Sequence, residues 1–425
     1  MAKKHLIFAV AATMLLASCS STGNASSEPA GDLTVLTNRT DLVDTVFQDY
    51  KKEFEALYPD VNVEFEAITD YEPEVNTRLS TGDYGDVLLI PSQVKPDQFS
   101  QFFEPLGQQS DLAEKYRFLN DKSFEGVQYG IPTFGSANGL VYNKKVWADA
   151  GVDEIPTTPE EFVSALEMIK ANTDAIPYYT NYKDVWPLSQ WQGVQGVVAG
   201  STAVADRDES DEPWAKGSEQ YVIDSLIYDI VEGGLSEDDP LTTAWEGSKA
   251  MIGSGEVATM LLGSWSVVQM QDAAETAGAD RADIGYMPFP YQTDGKYNVN
   301  VAGDFNSAIN VNSENKVTAR AWIDWFTDES GYYELSGALP TAIDGDLPST
   351  LADFDALDIN FVELEPSEDP TLDANIYNEA GIDLFGGMYR QPLIDIARGA
   401  ADGDKESYFE SLNQKWADAR AAVGS

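Results

Sequence analysis

The side chains in this sequence that could do chemistry are aromatic rings, carboxylates and amides. The 425 residues include 9 Trp, 20 Tyr and 72 Asp or Glu, whereas His5 is the one histidine and Cys19 the one cysteine. Nucleophiles that depend on histidine are therefore excluded, as are zinc sites, which overwhelmingly use His or Cys. A sugar site instead requires aromatic rings that stack on the C–H faces of the sugar. It also requires planar polar side chains that hydrogen-bond to neighbouring hydroxyl groups.

Candidate ligand-binding residues lie in loops that follow predicted strands and in polar aromatic segments. They are Asn38, Arg39, Asp70, Tyr71, Trp186, Trp245, Glu246, Asp304 and Phe305. Arg39 could form a charge-assisted fork to hydroxyl groups. Packing in the core is the alternative role of the aromatic residues. For the loop that contains Asn38 and Arg39, the alternative role is to cap a helix through Thr40 or Asp41.

The charge of the chain limits its partners. Its formal charge is −46, from 26 basic and 72 acidic residues. Binding to a phosphate backbone requires clustered Lys and Arg, and an anionic membrane surface repels such a protein. Nucleic acid is therefore excluded as a partner, and a neutral ligand is expected unless one local basic pocket overrides the mean charge.

The N-terminus predicts export. The first 18 residues indicate a cleaved signal peptide, because two lysines precede an apolar run over residues 6–17 that is too short to span a bilayer. Residues 16–19 (LASC) resemble the lipobox of bacterial lipoproteins, which implies that Cys19 is lipidated and becomes the mature N-terminus. Residues 19–31 then form a flexible tether. An ordinary secreted protein is the alternative.

Hydrophobic periodicity indicates the elements that position the candidate residues. Strands are predicted at residues 33–36, 61–65 and 87–90. One face of the helix between the first two carries four apolar residues, Phe47, Tyr50, Phe54 and Leu57. A later helix begins at Thr158, where the cap residue is followed by Pro159 and by Glu161 three residues on. The opening β-α-β pattern favours a parallel sheet covered by helices.

Two motifs suggest functions that their context argues against. Residues 253–258 (GSGEVA) match the dinucleotide pattern G-x-G-x-x-A, but the preceding segment predicts a helix and not the strand which that fold needs. Residues 206–211 (DRDESD) begin like a calcium loop but lack Gly at the sixth position and Glu at the twelfth. We interpret the second motif as a solvated acidic loop.

Several separated motifs together carry a family resemblance. They are residues 82–87 (GDYGDV), 129–132 (YGIP), 139–147 (GLVYNKKVW), 255–260 (GEVATM), 263–265 (GSW), 287–290 (MPFP) and 310–313 (NVNS). In this order and spacing they resemble the family of extracellular solute-binding proteins that includes the maltose-binding protein, over nearly all of the chain after the tether.

The resemblance implies an α/β fold with two lobes, the periplasmic-binding-protein-like fold of type II. The ligand cleft would lie between lobes joined by a hinge that the chain crosses several times. Lobe 1 would comprise residues 32–138 and 304–342, and lobe 2 residues 139–303 and 343–425. Trp265 lies in the signature whose tryptophan lines the sugar cleft in this family, so it becomes the leading site residue. Open α/β sheets also hold ligands at the carboxyl ends of strands.

The hypothesis that follows is a substrate-binding lipoprotein of an ABC importer. It would capture a carbohydrate, a neutral oligosaccharide, and deliver it to a membrane permease, without catalysis, cofactor or metal. The ATPase must be a separate chain, because no G-x-x-x-x-G-K-[ST] motif is present. A monomer tethered to the outer face of the cell membrane is expected, on a Gram-positive surface or in a periplasm. The alternatives are a two-carboxylate glycosidase or lyase and a polysaccharide adhesin.

Overall fold

The computed structural model describes residues 28–369 and 371–424, so the predicted signal peptide, Cys19 and most of the tether lie outside the described residues. The strands are β1 (Gly31–Thr37), β2 (Val61–Ala67), β3 (Val87–Leu89), β4 (Gly107–Gln108), β5 (Ser123–Phe124), β6 (Val127–Gln128), β7 (Ile131–Pro132), β8 (Gly135–Asn143), β9 (Thr259–Gly263), β10 (Ile284–Met287), β11 (Gln292–Thr293), β12 (Lys296–Gly303), β13 (Asn306–Ile309) and β14 (Ile359–Val362). The α-helices are α1 (Val46–Leu57), α2 (Tyr71–Leu79), α3 (Phe99–Phe102), α4 (Gln109–Leu112), α5 (Lys144–Ala150), α6 (Pro159–Asn172), α7 (Trp186–Gly193), α8 (Ala203–Glu209), α9 (Glu219–Glu232), α10 (Trp245–Ser254), α11 (Ser266–Thr276), α12 (Lys316–Asp328), α13 (Tyr332–Leu335), α14 (Leu372–Ala380), α15 (Arg390–Ala397) and α16 (Lys405–Val423).

The first sheet begins with the predicted β-α-β unit. Its strand order is β2-β1-β3-β13-β7, with β1 parallel to both neighbours and β13 antiparallel to β3. Leu33 and Val35 face one hydrophobic cluster and Leu36 faces another, so helices cover both sides of the sheet. The predicted strands and the helix α1 between the first two are confirmed.

The second sheet is built around the long strand β8. Its order is β10-β8-β12-β11, with β9 also paired to β8 and β14 to β12. Leu140 and Tyr142 face one hydrophobic cluster, whereas Ala137 and Val141 face another. The chain therefore has two α/β lobes, each with a sheet buried on both faces, which confirms the predicted fold class.

The chain passes between the sheets at adjacent places. β7 belongs to the first sheet and β8 to the second, and the return runs between the end of β12 at Gly303 and the start of β13 at Asn306. A third segment joins this crossing, because Gly135 and Leu339 exchange backbone hydrogen bonds of 2.7 and 2.8 Å. The hinge is thus crossed more than twice. The predicted lobe boundaries after residues 138, 303 and 342 stay a prediction.

Glycine is required where the crossing segments meet. A Cβ at Gly135 would lie 2.1 Å from a ring carbon of Phe118, and one at Gly303 would lie 2.7 Å from Cγ of Pro132. The Phe118 ring is buried and the Pro132 ring is bonded to its own backbone, so neither has room to move aside. Any larger residue would push the hinge segments apart.

Two sequence predictions about this fold are wrong. Leu57 is 55% exposed, because Tyr58 takes over the packing at the end of α1, with its ring 4.9 Å from that of Phe54. The segment 206–211 is not a solvated acidic loop: α8 buries Arg207 and Asp208, and Arg207 pairs with Asp373 at 2.7 Å. That partner is 166 residues away in the chain, so the local pattern could not show it.

The other two local interpretations are confirmed. Thr158 caps α6 by accepting a hydrogen bond from the backbone N–H of Glu161 at 3.2 Å. The carboxylate of Glu161 bonds Thr157, one residue before the cap. The dinucleotide-like motif follows a helix and not a strand, because α10 runs through Gly253 and ends at Ser254. Within the described ranges, no helix has the length and apolar character needed to cross a bilayer.

Candidate functional site

Three tryptophans form an aromatic wall on the second lobe. The ring centroids of Trp186 and Trp245 are 5.0 Å apart, those of Trp245 and Trp265 5.7 Å, and those of Trp186 and Trp265 6.1 Å. All three rings are partly exposed. Each stands at the start of a helix, α7, α10 or α11. This tryptophan wall therefore has aromatic surface that is not buried in the core.

The backbone before Trp265 determines where its ring lies. β9 ends at Gly263, and a Cβ there would lie 2.4 Å from Nε1 of Trp265, so only glycine allows the ring to fold back over the strand. Ser264 fixes the turn to the neighbouring strand, because its Oγ accepts a hydrogen bond of 3.0 Å from the backbone N–H of Ala137. The ring is thereby anchored to the hinge strand β8.

The loop before Trp186 is held in an unusual backbone conformation. Asn181 and Val185 both have positive φ angles, of 52° and 60°, and the second is costly for a β-branched residue. Asp184 accepts a hydrogen bond of 2.5 Å from the backbone N–H of Trp245, which joins this loop to α10. Strain of this kind persists only where surrounding contacts impose it, and here those contacts bring two of the wall tryptophans together.

Arg39 faces the tryptophan wall from the first lobe. Its Nε and Nη2 donate to the two carboxylate oxygens of Asp41 at 2.9 and 2.8 Å, and its Nη1 donates to the hydroxyl of Tyr332 at 2.9 Å. The arginine holds the pKa of the Asp41 carboxyl below its usual range. Because these contacts use three of its five N–H groups, Arg39 is fixed in orientation and keeps two donors for a ligand.

A cleft of about 840 Å³ lies between Trp265 of the tryptophan wall and Arg39. Residues of both lobes line it: Arg39, Asp41, Phe134, Trp265, Asp304 and Leu335 are among them. A smaller cavity of about 80 Å³ adjoins it through Arg39, Phe134 and Asp304, and Asn38 and Phe305 also line that cavity. The larger space suits a ligand of several rings, whereas the smaller has room for only a few water molecules.

Asp304 is the carboxylate at the base of the cleft. Solvent reaches it, but protein surrounds most of the group, and this partial desolvation raises the pKa of its carboxyl to about 6. An ionised Asp304 accepts stronger hydrogen bonds from ligand hydroxyls than the neutral acid does. Its protonation state is therefore expected to affect ligand binding between pH 7.5 and pH 5.

Lowering the pH from 7.5 to 5 should weaken ligand binding about fivefold, because protonation of Asp304 removes a charged acceptor. Dissociation constants measured at pH 7.5, 6 and 5 test this. Asp304→Asn should flatten the dependence, whereas Asp41→Asn should leave it in place, since the pKa of Asp41 is already low. An equal pH dependence in wild type and Asp304→Asn would contradict the assignment.

Three predicted site residues lie elsewhere. Tyr71 is a correction: it is 4% exposed, and its hydroxyl accepts a 2.7 Å hydrogen bond from the backbone N–H of Leu89, so it packs in the core of the first lobe. Asp70 is an exposed residue at the start of α2. The Glu246 side chain is 80% exposed and pairs with Lys249 on its own helix at 3.0 Å.

Sequence reasoning missed other cleft residues, although signals for them exist. Gln269 and Asp272 line the cleft and follow Trp265 by four and seven residues, the spacing that places side chains on one helical face. Among the described residues, no group of three or more His, Cys, Asp or Glu is arranged to hold a metal ion.

Known proteins resemble this chain in sequence and structure. The sequence profile of the family described as bacterial extracellular solute-binding protein matches residues 40–333. A multiple sugar-binding protein of Streptococcus mutans is 23% identical over 350 residues, which cover 78% of this chain and 80% of that protein.

Two solved structures share 32% sequence identity with the chain. One is a binding protein of an ABC transporter from Bifidobacterium animalis subsp. lactis in complex with mannobiose, with a TM-score of 0.82 and coverage of 93% of this chain and 97% of that one. The other, from the same organism, is a manno-oligosaccharide specific solute binding protein in complex with mannotriose, with a TM-score of 0.81 and coverage of 94% and 97%. The fold is thus the type II fold predicted from the sequence, and the chain belongs to the bacterial extracellular solute-binding protein family.

Proposed function

We propose that this chain captures a short neutral oligosaccharide, of the size of mannobiose or mannotriose, outside the cytoplasm. The observation that carries the proposal is that Trp265, a member of the tryptophan wall, lines one cleft together with Arg39 and Asp304. Sugar rings need an apolar plate on one side and fixed hydrogen-bonding groups on the other. The cleft offers both, from different lobes.

The relatives support both the class and the size of the ligand. The two structures with 32% identity hold mannobiose and mannotriose, and each matches more than nine-tenths of this chain. The formal charge of −46 disfavours an anionic sugar. A neutral oligosaccharide of two or three units is therefore the first ligand to test.

Capture requires contacts from both lobes. A ligand shifts an open-to-closed equilibrium only by its differential affinity for the closed state. Trp265 on the second lobe and Arg39 and Asp304 on the first are the residues that meet this requirement. The closed form would be the one delivered to the permease of an ABC importer, whose ATPase is a separate chain.

The proposal also covers the state of the protein in the cell. Cys19 is lipidated after removal of residues 1–18, and the residues between Cys19 and the start of β1 tether a monomer to the outer face of the cell membrane. A Gram-positive surface is favoured, because a tether is needed where no outer membrane retains the protein. Mass spectrometry of the N-terminal peptide from the membrane fraction, in wild type and Cys19→Ser, tests the anchor.

The protein performs no chemistry on the captured sugar in this proposal. Of the cleft carboxylates, Asp41 already accepts hydrogen bonds from Nε and Nη2 of Arg39 through both of its oxygens. Prolonged incubation with the bound oligosaccharide should release no reducing ends, and their appearance would favour a glycosidase. Loss of sugar uptake on gene deletion separates import from adhesion, because an adhesin would leave uptake unchanged.

A thermal-shift screen of the chain from Ser20 should identify the ligand class. Mannobiose or mannotriose at a hundredfold excess over Kd should stabilise the protein by about 2.7 kcal/mol, whereas acidic sugars, amino acids and short peptides should not. The shift should disappear in Trp265→Ala. Shifts with peptides or amino acids alone would overturn the sugar assignment.

A further inference from the structure

Two chain segments that end on wall tryptophans lie side by side in the second lobe. We call residues 178–186 the first wall segment and residues 235–245 the second wall segment. The segments start together, because Tyr178 and Ser236 form a parallel bridge. They also end together, since the rings of their last residues are 5.0 Å apart. The contacts between the two segments therefore determine how these rings meet.

Glu237 joins the two segments near their buried start. This residue of the second segment is 9% exposed, and its two carboxylate oxygens accept from the backbone N–H of Thr180 in the first segment, at 2.9 and 3.2 Å. Oε1 also accepts from the hydroxyl of Thr180. That hydroxyl oxygen accepts in turn from the backbone N–H of Tyr182 at 3.1 Å. The carboxylate therefore holds both sides of Asn181, whose φ angle is positive.

Two further hydrogen bonds connect the segments between Glu237 and the tryptophans. The backbone N–H of Lys183 donates to Oγ1 of Thr243 at 3.0 Å. The backbone N–H of Trp245 donates to the carboxylate of Asp184 at 2.5 Å. Because the chain is continuous, a shift of either segment at Glu237 would misalign the donors and acceptors of both bonds.

The third wall tryptophan is connected to the same place through β9. The backbone N–H of Tyr179 donates to the oxygen of Thr259 at 3.1 Å, and the hydroxyl of Tyr178 accepts from the backbone N–H of Leu261 at 3.3 Å. Both partners belong to β9, the strand that leads into Trp265. The start of the first wall segment thus lies between β9 and the second wall segment.

We propose that Glu237 is a positioning residue for ligand binding, whose carboxylate holds the first wall segment in place so that Trp186 packs behind Trp265. Trp265 lines the cleft, and the rings of Trp186 and Trp245 lie 6.1 and 5.7 Å from it. Glu237 acts through these rings and needs no contact with the sugar. This inference rests on the proposed function, because the wall affects binding only if a sugar stacks on it.

Glutamine is the conservative replacement that this geometry allows. Burial raises the pKa of the Glu237 carboxyl to about 7, so the neutral acid is populated at neutral pH. In Glu237→Gln, the amide oxygen can accept from the N–H of Thr180 and the amide nitrogen can donate to its hydroxyl oxygen. We therefore expect Glu237→Gln to keep the wall, whereas Glu237→Ala removes the acceptor of both Thr180 groups.

Calorimetric titration with mannotriose measures the effect on binding. Glu237→Ala should weaken binding about tenfold, and Glu237→Gln should stay within about twofold of wild type. Glu219→Ala is the matched control, because this partly buried carboxylate of the same lobe accepts from three backbone N–H groups of residues 196–199, outside the wall segments. It should lower the unfolding temperature of the free protein and leave the Kd within about twofold of wild type.

A double-mutant cycle tests whether Glu237 acts through Trp186. In a Trp186→Ala background, Glu237→Ala should weaken binding by about twofold or less, because the ring that it positions is already absent. A tenfold loss in that background would overturn the positioning role, as would an unchanged Kd in Glu237→Ala or an equal loss in Glu237→Gln. Should Glu237→Ala not fold, Thr180→Val removes only the hydroxyl and should weaken binding about fivefold, and an unchanged Kd there would also overturn the role.

Near-ultraviolet circular dichroism of the ligand-free protein separates this inference from the proposed function. The signal reports the packing of aromatic rings and needs no ligand. Glu237→Ala should lose part of the tryptophan signal that Glu237→Gln and Glu219→Ala keep, and an unchanged spectrum would overturn the positioning role. If wild type bound none of mannobiose, mannotriose, raffinose and stachyose, the proposed function would fail, and the spectra would still show whether Glu237 holds the wall.

Discussion

Trp265→Ala is expected to weaken oligosaccharide binding about a hundredfold. Truncation of a central tryptophan in a binding site typically costs about 2–4 kcal/mol, and each 1.4 kcal/mol is a factor of ten. The ring of Trp265 contacts both other tryptophans of the wall, with centroid distances of 5.7 and 6.1 Å, so its removal also releases their packing. Titration calorimetry with the sugar identified in the thermal-shift screen measures the loss.

Matched variants distinguish the loss of the stacking ring of Trp265 from a loss of folding. Phe361→Ala removes an exposed aromatic ring from β14, outside the lining of the cleft, and should leave the Kd unchanged. Trp265→Phe keeps a smaller aromatic ring and should therefore bind the ligand more tightly than Trp265→Ala does. The free protein should unfold at nearly the same temperature in all three variants. A Kd for Trp265→Ala within about threefold of wild type would show that the wall does not bind the ligand.

The sequence predicted the first lobe well because its elements are amphipathic and contiguous. β1 and β2 and the buried face of α1 follow directly from residues that alternate or recur at helical spacing. The prediction for Leu57 was wrong because it is the last residue of α1, and Tyr58, just beyond the helix, packs on Phe54 in its place. Periodicity gives the direction of a side chain but not the extent of the surface that covers it.

The candidate site was predicted in parts and not as an assembly. Trp186, Trp245 and Trp265 were each predicted from their own segments. Their convergence depends on three helix starts separated by 59 and 20 residues, which only the tertiary fold brings together. The prediction that Tyr71 binds the ligand was wrong because Tyr71 is the first residue of α2 and its ring packs into the core.

The largest expected effect on stability comes from a buried charge pair beneath α7. Arg390 and Asp224 are both fully buried and pair at 2.8 Å from Nε to Oδ1. Arg390→Leu should lower the free energy of unfolding by about 3–5 kcal/mol, because it leaves the Asp224 carboxylate buried without its cation. Urea unfolding of the ligand-free protein, followed by circular dichroism, measures the change.

The partners of this pair explain why we expect binding to change with stability. Nη2 of Arg390 donates to Oε1 of Gln192 on α7 at 3.0 Å, and Asp224 accepts from Trp214 and Tyr389 at 2.8 and 2.9 Å. The network therefore fixes the helix that begins with a wall tryptophan.

Arg281→Leu is the control for this network. Because Arg281 is exposed, its replacement should lower the free energy of unfolding by less than about 1 kcal/mol. If Arg390→Leu and Arg281→Leu destabilised the protein equally, the buried pair would not hold the second lobe together. A destabilised Arg390→Leu with unchanged sugar affinity would show that α7 keeps its position without the network.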